Sequence, residues 1–403
     1  MEFSFELIKF HEKKEHVRCF FMTNFYFDVQ KSYLDALGPW YVQDQKLYLD
    51  TADAQQLVDT IIEKGLQELY CTVTKNPTIY LHRNCGIPLI GNGGFGVVDR
   101  GTNIIEIKPV TGCNLGCTYC SLSEGTNLKK REFLIEADYL VDYITLVLEQ
   151  KDLLKPTDDV EIHFAVHGEP FIYGDMLYLC KEIRKIPSVK IVSVDTNGTF
   201  LTPTYIDELA QAGMTRINLS LDSMNQQKAN TIADRFFPLQ KILNIAKYLS
   251  KHPHMQCLIA PVWVRGLNDE DMEHILNFCK EHNIVLGIQN YLNYKGGRYL
   301  NKQDDWQTFF DKLKVLEQKH NHKLVFDFYK DFNIRPVQQI PKPFKRKQVI
   351  AAVIACQGRH EAEMLAVAQD RVITIPKCSK KIGDRVNVRI TGDKHNIFWG
   401  ELV

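Results

Sequence analysis

Between residues 103 and 290 the chain switches repeatedly between two hydrophobic periods, and this alternation restricts the fold more than any other feature of the sequence. Short runs rich in β-branched residues at 103–109, 159–166, 189–195, 215–221, 256–262 and 284–289 predict strands. Stretches near 134–150, 174–186, 204–212, 238–250 and 270–282 carry apolar residues at helical spacing. Repetition of this kind builds parallel strands joined by right-handed crossovers. Six units make a partial (β/α)6 barrel, short of the closed eight. Ligands in parallel α/β folds sit at the carboxyl ends of the strands, so the chemistry is sought there.

The first such end carries three thiols. Directly after the apolar run Ile104-Ile105-Glu106-Ile107, the segment Lys108-Pro109-Val110-Thr111-Gly112-Cys113-Asn114-Leu115-Gly116-Cys117-Thr118-Tyr119-Cys120 has C-x3-C-x2-C spacing. Three thiolates this close, with no His or fourth Cys beside them, suit a cubane cluster with one iron left open. Zinc is the rival reading, but a structural zinc site closes its tetrahedron with four protein ligands. The other eight cysteines are scattered and read as buried, small apolar side chains.

This loop, with the aromatic Tyr119 just before its third cysteine, resembles the signature of the radical S-adenosylmethionine (SAM) superfamily. The resemblance implies a 4Fe-4S cluster on Cys113, Cys117 and Cys120, with SAM on the open iron and Tyr119 packed near adenine. One electron would cleave SAM to methionine and a 5'-deoxyadenosyl radical, so the chain is expected to be an enzyme served by a donor of the reduced ferredoxin or flavodoxin type.

The later strand ends extend the resemblance. His167-Gly168-Glu169-Pro170 stands where the superfamily commonly has Gly-Gly-Glu-Pro, which implies that Gly168 and Glu169 meet the amino group of SAM. His167 replaces the first glycine, either approaching ligand or substrate or simply filling a turn. Asn197-Gly198 is a turn signal on its own, and its place beside the cysteine loop makes Asn197 a contributor to the SAM pocket. In Ile217-Asn218-Leu219-Ser220-Leu221-Asp222 the polar residues share one face, the barrel interior, where polar groups need partners. A ligand or a water network would supply them. Ser220 and Asp222 resemble the residues that hold the ribose and carboxylate of SAM, and Gln289, closing the sixth strand, could face adenine or substrate.

Before the barrel, residues 1–98 predict a small α/β module: Val17 to Tyr26 and Lys46 to Leu49 as strands, Ala52 to Lys64 as a helix. The glycine-rich Gly91-Asn92-Gly93-Gly94-Phe95-Gly96 matches no phosphate-loop pattern and reads as a connecting turn into a core spanning 99–335. Acids where a signal peptide needs bases, and no run long enough to span a membrane, place the chain in the cytoplasm without a membrane partner.

Beyond a proline-rich linker the pattern becomes all-β. Five short strands within 341–403 predict a small barrel of the OB type. Gly383-Asp384-Arg385-Val386 and Asp393-Lys394-His395-Asn396-Ile397 resemble the TRAM module of RNA-modifying enzymes. The whole chain has 49 Lys+Arg and 49 Asp+Glu, whereas 341–403 holds twelve basic against six acidic residues. A local surplus suits phosphate contact, through Lys345, Arg346, Lys347, Arg359, Arg371 and Lys394, or else a solvated face. Residues 90–403 together resemble an archaeal-type family of radical SAM proteins with a TRAM domain. The expected function is SAM-radical modification of RNA, most simply transfer RNA. The alternatives are a protein or small-metabolite substrate, or an RNA-binding iron-sulfur protein without turnover.

Overall fold

A computed structural model describes residues 1–125, 130–294, 296–300 and 302–403. The alternating segment forms a seven-stranded sheet in the spatial order Val285–Leu286, Gln256–Ile259, Arg216–Leu219, Val189–Thr196, Val160–Phe164, Ile104–Lys108 and Gly96–Asp99. The six expected strands are all present and mutually parallel. Gly96–Asp99 joins the open edge in the antiparallel sense. Helices follow where the 3.6-residue period placed them, with ends set by local chemistry. In Pro203–Ala212, for example, Thr202 accepts the Tyr205 amide at the start and Gly213 turns left-handed at the end. One boundary differs: Glu132–Ile135 is a strand, and the helix begins at Ala137.

That strand pairs in parallel with Pro77–Leu81 and completes a six-stranded sheet built otherwise from residues before 82. The expected single strand from Val17 to Tyr26 is instead a hairpin, His16–Phe21 and Phe25–Gln30, because Met22 and Thr23 take positive φ and turn the chain. One continuous apolar core runs from Phe3 through the central sheet to Leu324 and beyond.

Residues 349–402 close into a five-stranded barrel in the order Val349–Gln357, Met364–Ala368, Arg371–Ile375, Phe398–Leu402, Arg385–Gly392. It has its own core around Phe344, Ile354, Ile373 and Phe398. The glycine-rich turn is where this barrel docks. Ile90 O and Gly91 O accept the Val372 and Phe398 amides at 2.9 and 2.8 Å, and Asn92 Nδ2 reaches Thr374 Oγ1 at 3.0 Å.

Candidate active site

A cavity of about 420 Å³ opens at the carboxyl ends of the central strands, large enough for a cofactor-sized ligand. Its lining brings together Cys113, Cys117, Tyr119, Cys120, Gly168, Glu169, Asn197, Ser220, Asp222 and Gln289, which lie as far as 176 positions apart in sequence. His167 stands apart from that set. Its ring lies beside Gly94, and its carbonyl faces Arg359.

The cysteine loop is shaped by sulfur-directed hydrogen bonds. Leu115 N donates to Cys113 Sγ and Leu122 N to Cys120 Sγ, each at 3.4 Å. Burial pushes the Cys117 thiol up to about 12 and raises Cys113 as well, with the nearby Glu169 carboxylate adding to the latter. Metal binding must therefore take these groups as thiolates and release their protons. Among the described residues, no group of three or more His, Cys, Asp or Glu forms a single-ion site.

Asn197 binds the loop to the third core strand: its Nδ2 donates to Asn114 Oδ1 at 2.9 Å, and its Oδ1 accepts the Thr199 amide. Glu169 takes the Asn197 amide on Oε2, and Thr196 Oγ1 and the Phe171 amide on Oε1. Even so, burial lifts its carboxyl to about 7. Gly168 is a glycine for a physical reason: at φ +147°, a Cβ there would collide with Gly112 O in the adjoining strand.

On the opposite wall Tyr119 Oη donates to Asp222 Oδ2 at 2.6 Å, and the Val262 amide donates to Oδ1 at 2.8 Å. Tyr119 and Asp222 thus engage one another, although both face the cavity. Burial raises Asp222 to about 6.

The neighbouring strands carry a polar row of which sequence reading singled out only Asn218, and its Asp195 also lines the cavity. Asn218 donates to Asp195 at 2.8 Å, His163 Nε2 lies 3.2 Å from the same carboxylate, and His163 Nδ1 is 2.8 Å from Ser193 Oγ. Ser193 in turn donates to Glu161, which also pairs with Arg216. Desolvation by the packed strands opposes the charge on Asp195, half exposed though it is at the cavity, but His163 and Asn218 outweigh it and keep the carboxyl below its usual range. The signal was available: Glu161-Ile162-His163 and Ser193-Val194-Asp195 show the same alternation that singled out Asn218 and Ser220.

Residues 107–279 match the family profile described as the radical SAM superfamily. An uncharacterised protein of Methanocaldococcus jannaschii is 34% identical over 361 residues, covering 82% of each chain. The chain belongs to the radical SAM superfamily. A GTP 3',8-cyclase of Petrotoga mobilis is 25% identical over 223 residues, 54% of this chain and 66% of that one. Among solved structures, Streptococcus suis SuiB bound to S-adenosylmethionine aligns with TM-score 0.42 at 17% identity, covering 81% of this chain and 72% of that one.

As a radical SAM enzyme the chain uses a 4Fe-4S cluster and SAM. Its residues fit both groups: three thiols on one loop, two of them already accepting backbone N–H, face a cavity whose largely apolar wall carries Glu169, Asn197, Ser220 and Asp222.

The basic residues of the carboxy-terminal barrel divide. Lys345, Arg346, Lys347 and Lys394 are exposed, and the Arg346 amide reaches Asp393 beside Lys394. Arg359 and Arg371, expected to contact RNA, are only 6% and 7% exposed. Arg359 pairs with Glu124 and Glu132, and Arg371 donates to the Asp370 and Pro341 carbonyls. A buried, partnered guanidinium cannot also meet a phosphate, so neither belongs to a nucleic-acid surface.

Proposed function

We propose that Cys113, Cys117 and Cys120 hold the cluster, and that the walls built by Gly168, Glu169, Asn197, Ser220, Asp222, Tyr119 and Gln289 hold SAM. The observation carrying this reading is that one cavity at the strand ends gathers the three thiols with a set of polar groups from different core strands. When bound, the two cofactors supply reductive cleavage of SAM to methionine and a 5'-deoxyadenosyl radical, which begins chemistry by abstracting a hydrogen atom. The electron comes from an external reductant of the ferredoxin or flavodoxin type. The chain's own residues position the ligands and exclude water. Ser220 Oγ has no partner among the described residues and remains available to a ligand hydroxyl.

For substrate, we favour RNA bound in the cytoplasm along the ridge Lys345, Arg346, Lys347 and Lys394 of a TRAM-like barrel. Support comes from placement. The turn that carries Lys394 packs against Gly96–Asp99, the strand at the open edge of the catalytic sheet. The neighbouring His395 feels the charges of Arg100 and Glu106, at that same edge. A polyanion on the ridge would therefore lie beside the open side of the barrel. If the anaerobically reconstituted chain, given SAM and a strong reductant, forms no 5'-deoxyadenosine, the enzymatic assignment of these residues fails. Nucleoside profiles of transfer RNA from cells with and without the protein test the substrate. An unchanged profile would turn the search to a protein or metabolite substrate.

A further inference from the structure

Past its third thiol the cysteine loop is held by a side chain from further along the sequence. Beyond Cys120, the Leu122 and Ser123 carbonyls both accept from one ammonium group, Lys130 Nζ, at 2.8 and 2.9 Å. Gly125 then lies directly against Gly116, between the first two thiols, with no room for a Cβ. Lys130 is itself aimed by Glu124, whose Oε1 lies 3.1 Å from Nζ. Glu124 is 4% exposed and forms part of the cavity wall.

What aims Glu124 comes from the other end of the chain. Arg359 Nη2 lies 2.7 Å from Glu124 Oε1 and 3.2 Å from Glu132 Oε2. Glu132 is fixed in turn by Thr111 Oγ1 at 2.7 Å and Asn76 Nδ2 at 2.8 Å. Arg359 is held at its own backbone, where its amide donates to Glu363 and its carbonyl accepts the Arg131 amide at 2.8 Å. The result is a buried chain of alternating charge: Lys130, Glu124, Arg359 and Glu132. Arg359 Nε remains buried without a partner among the described residues, a desolvation cost that the paired Nη2 must offset. No residue of the central sheet performs this task; it falls to the segment joining two strands of the carboxy-terminal barrel, Val349–Gln357 and Met364–Ala368.

We infer that Arg359 is a positioning residue for the iron-binding loop. Acting through Glu124 and Lys130, it holds the stretch after Cys120 in the conformation that presents the three thiols together, so the carboxy-terminal barrel is a built part of the catalytic centre and not only an appended module. The contacts are geometric. Their purpose rests on the reading that Cys113, Cys117 and Cys120 hold the cluster.

Hydrogen–deuterium exchange on the full iron-free chain tests the geometry without activity. In Arg359→Ala the peptide covering 117–125 should exchange at least about tenfold faster, while barrel strands such as 371–375 keep their native rate. Arg359→Lys, which restores the charge without the fork, should recover part of the protection. Glu124→Gln, the same size without the charge, should speed the loop in the same selective way, which keeps the test open if Arg359→Ala fails to fold. An Arg371→Met control loosens the barrel away from the loop and should leave 117–125 unchanged. Unchanged loop exchange in both Arg359→Ala and Glu124→Gln would overturn the inference. So would equal acceleration of loop and barrel, since Arg359 would then serve docking alone. Iron reconstitution of the same variants separates this from the cluster reading: a wild-type chain that binds no iron refutes the cluster assignment, whatever the exchange data show.

Discussion

Two regions of the carboxy-terminal barrel carry the same kind of residue in opposite circumstances. In one, Lys345, Arg346, Lys347 and Lys394 stand in solvent. In the other, Arg359 is enclosed between two carboxylates and Arg371 between backbone carbonyls. An exposed cation costs little to keep and little to lose, and its value lies in attracting a mobile anion. An enclosed cation has given up its water, so its partners become structurally obligatory. Net charge alone cannot separate the two roles; burial does.

The largest test of that contrast is removal of Arg359. Arg359→Ala leaves Glu124 with Lys130 but takes from the fully buried Glu132 its cation, and should cost about 3–5 kcal/mol in denaturant unfolding. A loss below about 1 kcal/mol would mean that the charge chain is hydrated and the contrast unfounded.

Glu169 extends the comparison to a buried carboxylate with no cationic partner among the described residues. Its carboxyl is raised from 4.5 to about 7 by burial, against the hydrogen bonds from Thr196, Asn197 and Phe171. Between those values the folded chain keeps a proton that the unfolded chain releases, so stability should fall as pH rises through the window. The cost is on the order of 3 kcal/mol. Thermal unfolding of the iron-free chain from pH 4.5 to pH 7.5 should show that slope, added below pH 6 to the one from Asp222, and Glu169→Gln should remove the part between pH 6 and 7. A slope between pH 6 and 7 that persists in the variant would assign the effect elsewhere.

Tyr119→Phe removes the donor to Asp222 while keeping the ring. A hydrogen bond to a charged group of this kind is worth about 1.5–3 kcal/mol, and the loss should appear in unfolding with the cavity wall otherwise intact. Arg371→Met sharpens the difference between the two enclosed guanidiniums. With no carboxylate left stranded, it should change stability by only about 1 kcal/mol, measured beside Arg359→Ala.

The smallest effect on stability belongs to the exposed ridge. Changing Lys345, Arg346, Lys347 and Lys394 to Gln should move stability by about 0.5 kcal/mol or less per site. The same variant should flatten the salt dependence of transfer RNA binding, measured by fluorescence anisotropy, by about 3 in the log–log slope. An unaltered slope would remove the ridge from any RNA-binding role.

Much of the catalytic architecture was legible in the chain itself. Six strands and their helices followed from two hydrophobic periods, because burying one face of each element leaves an arithmetic trace in the sequence. The Val17–Tyr26 hairpin escaped because its turn, Met22-Thr23, contains none of the glycine or proline that normally announces one. The strand Glu132–Ile135 escaped because its partner is Pro77–Leu81, and nothing within its four residues names that neighbour.

What the sequence determined alone was the local chemistry: three thiols at cluster spacing, a polar face on an interior strand, five barrel strands and a surplus of cations among them. Those are properties of residues within a few positions of each other, where backbone geometry permits few arrangements. Only the tertiary structure decided which cations meet solvent and which acids they otherwise meet. Arg359 and Glu132 are 227 positions apart, and their encounter depends on how two separately built cores dock. Burial is a property of that docking, and it turns one guanidinium into a strut beside the cysteine loop while leaving other cations of the same barrel free in water.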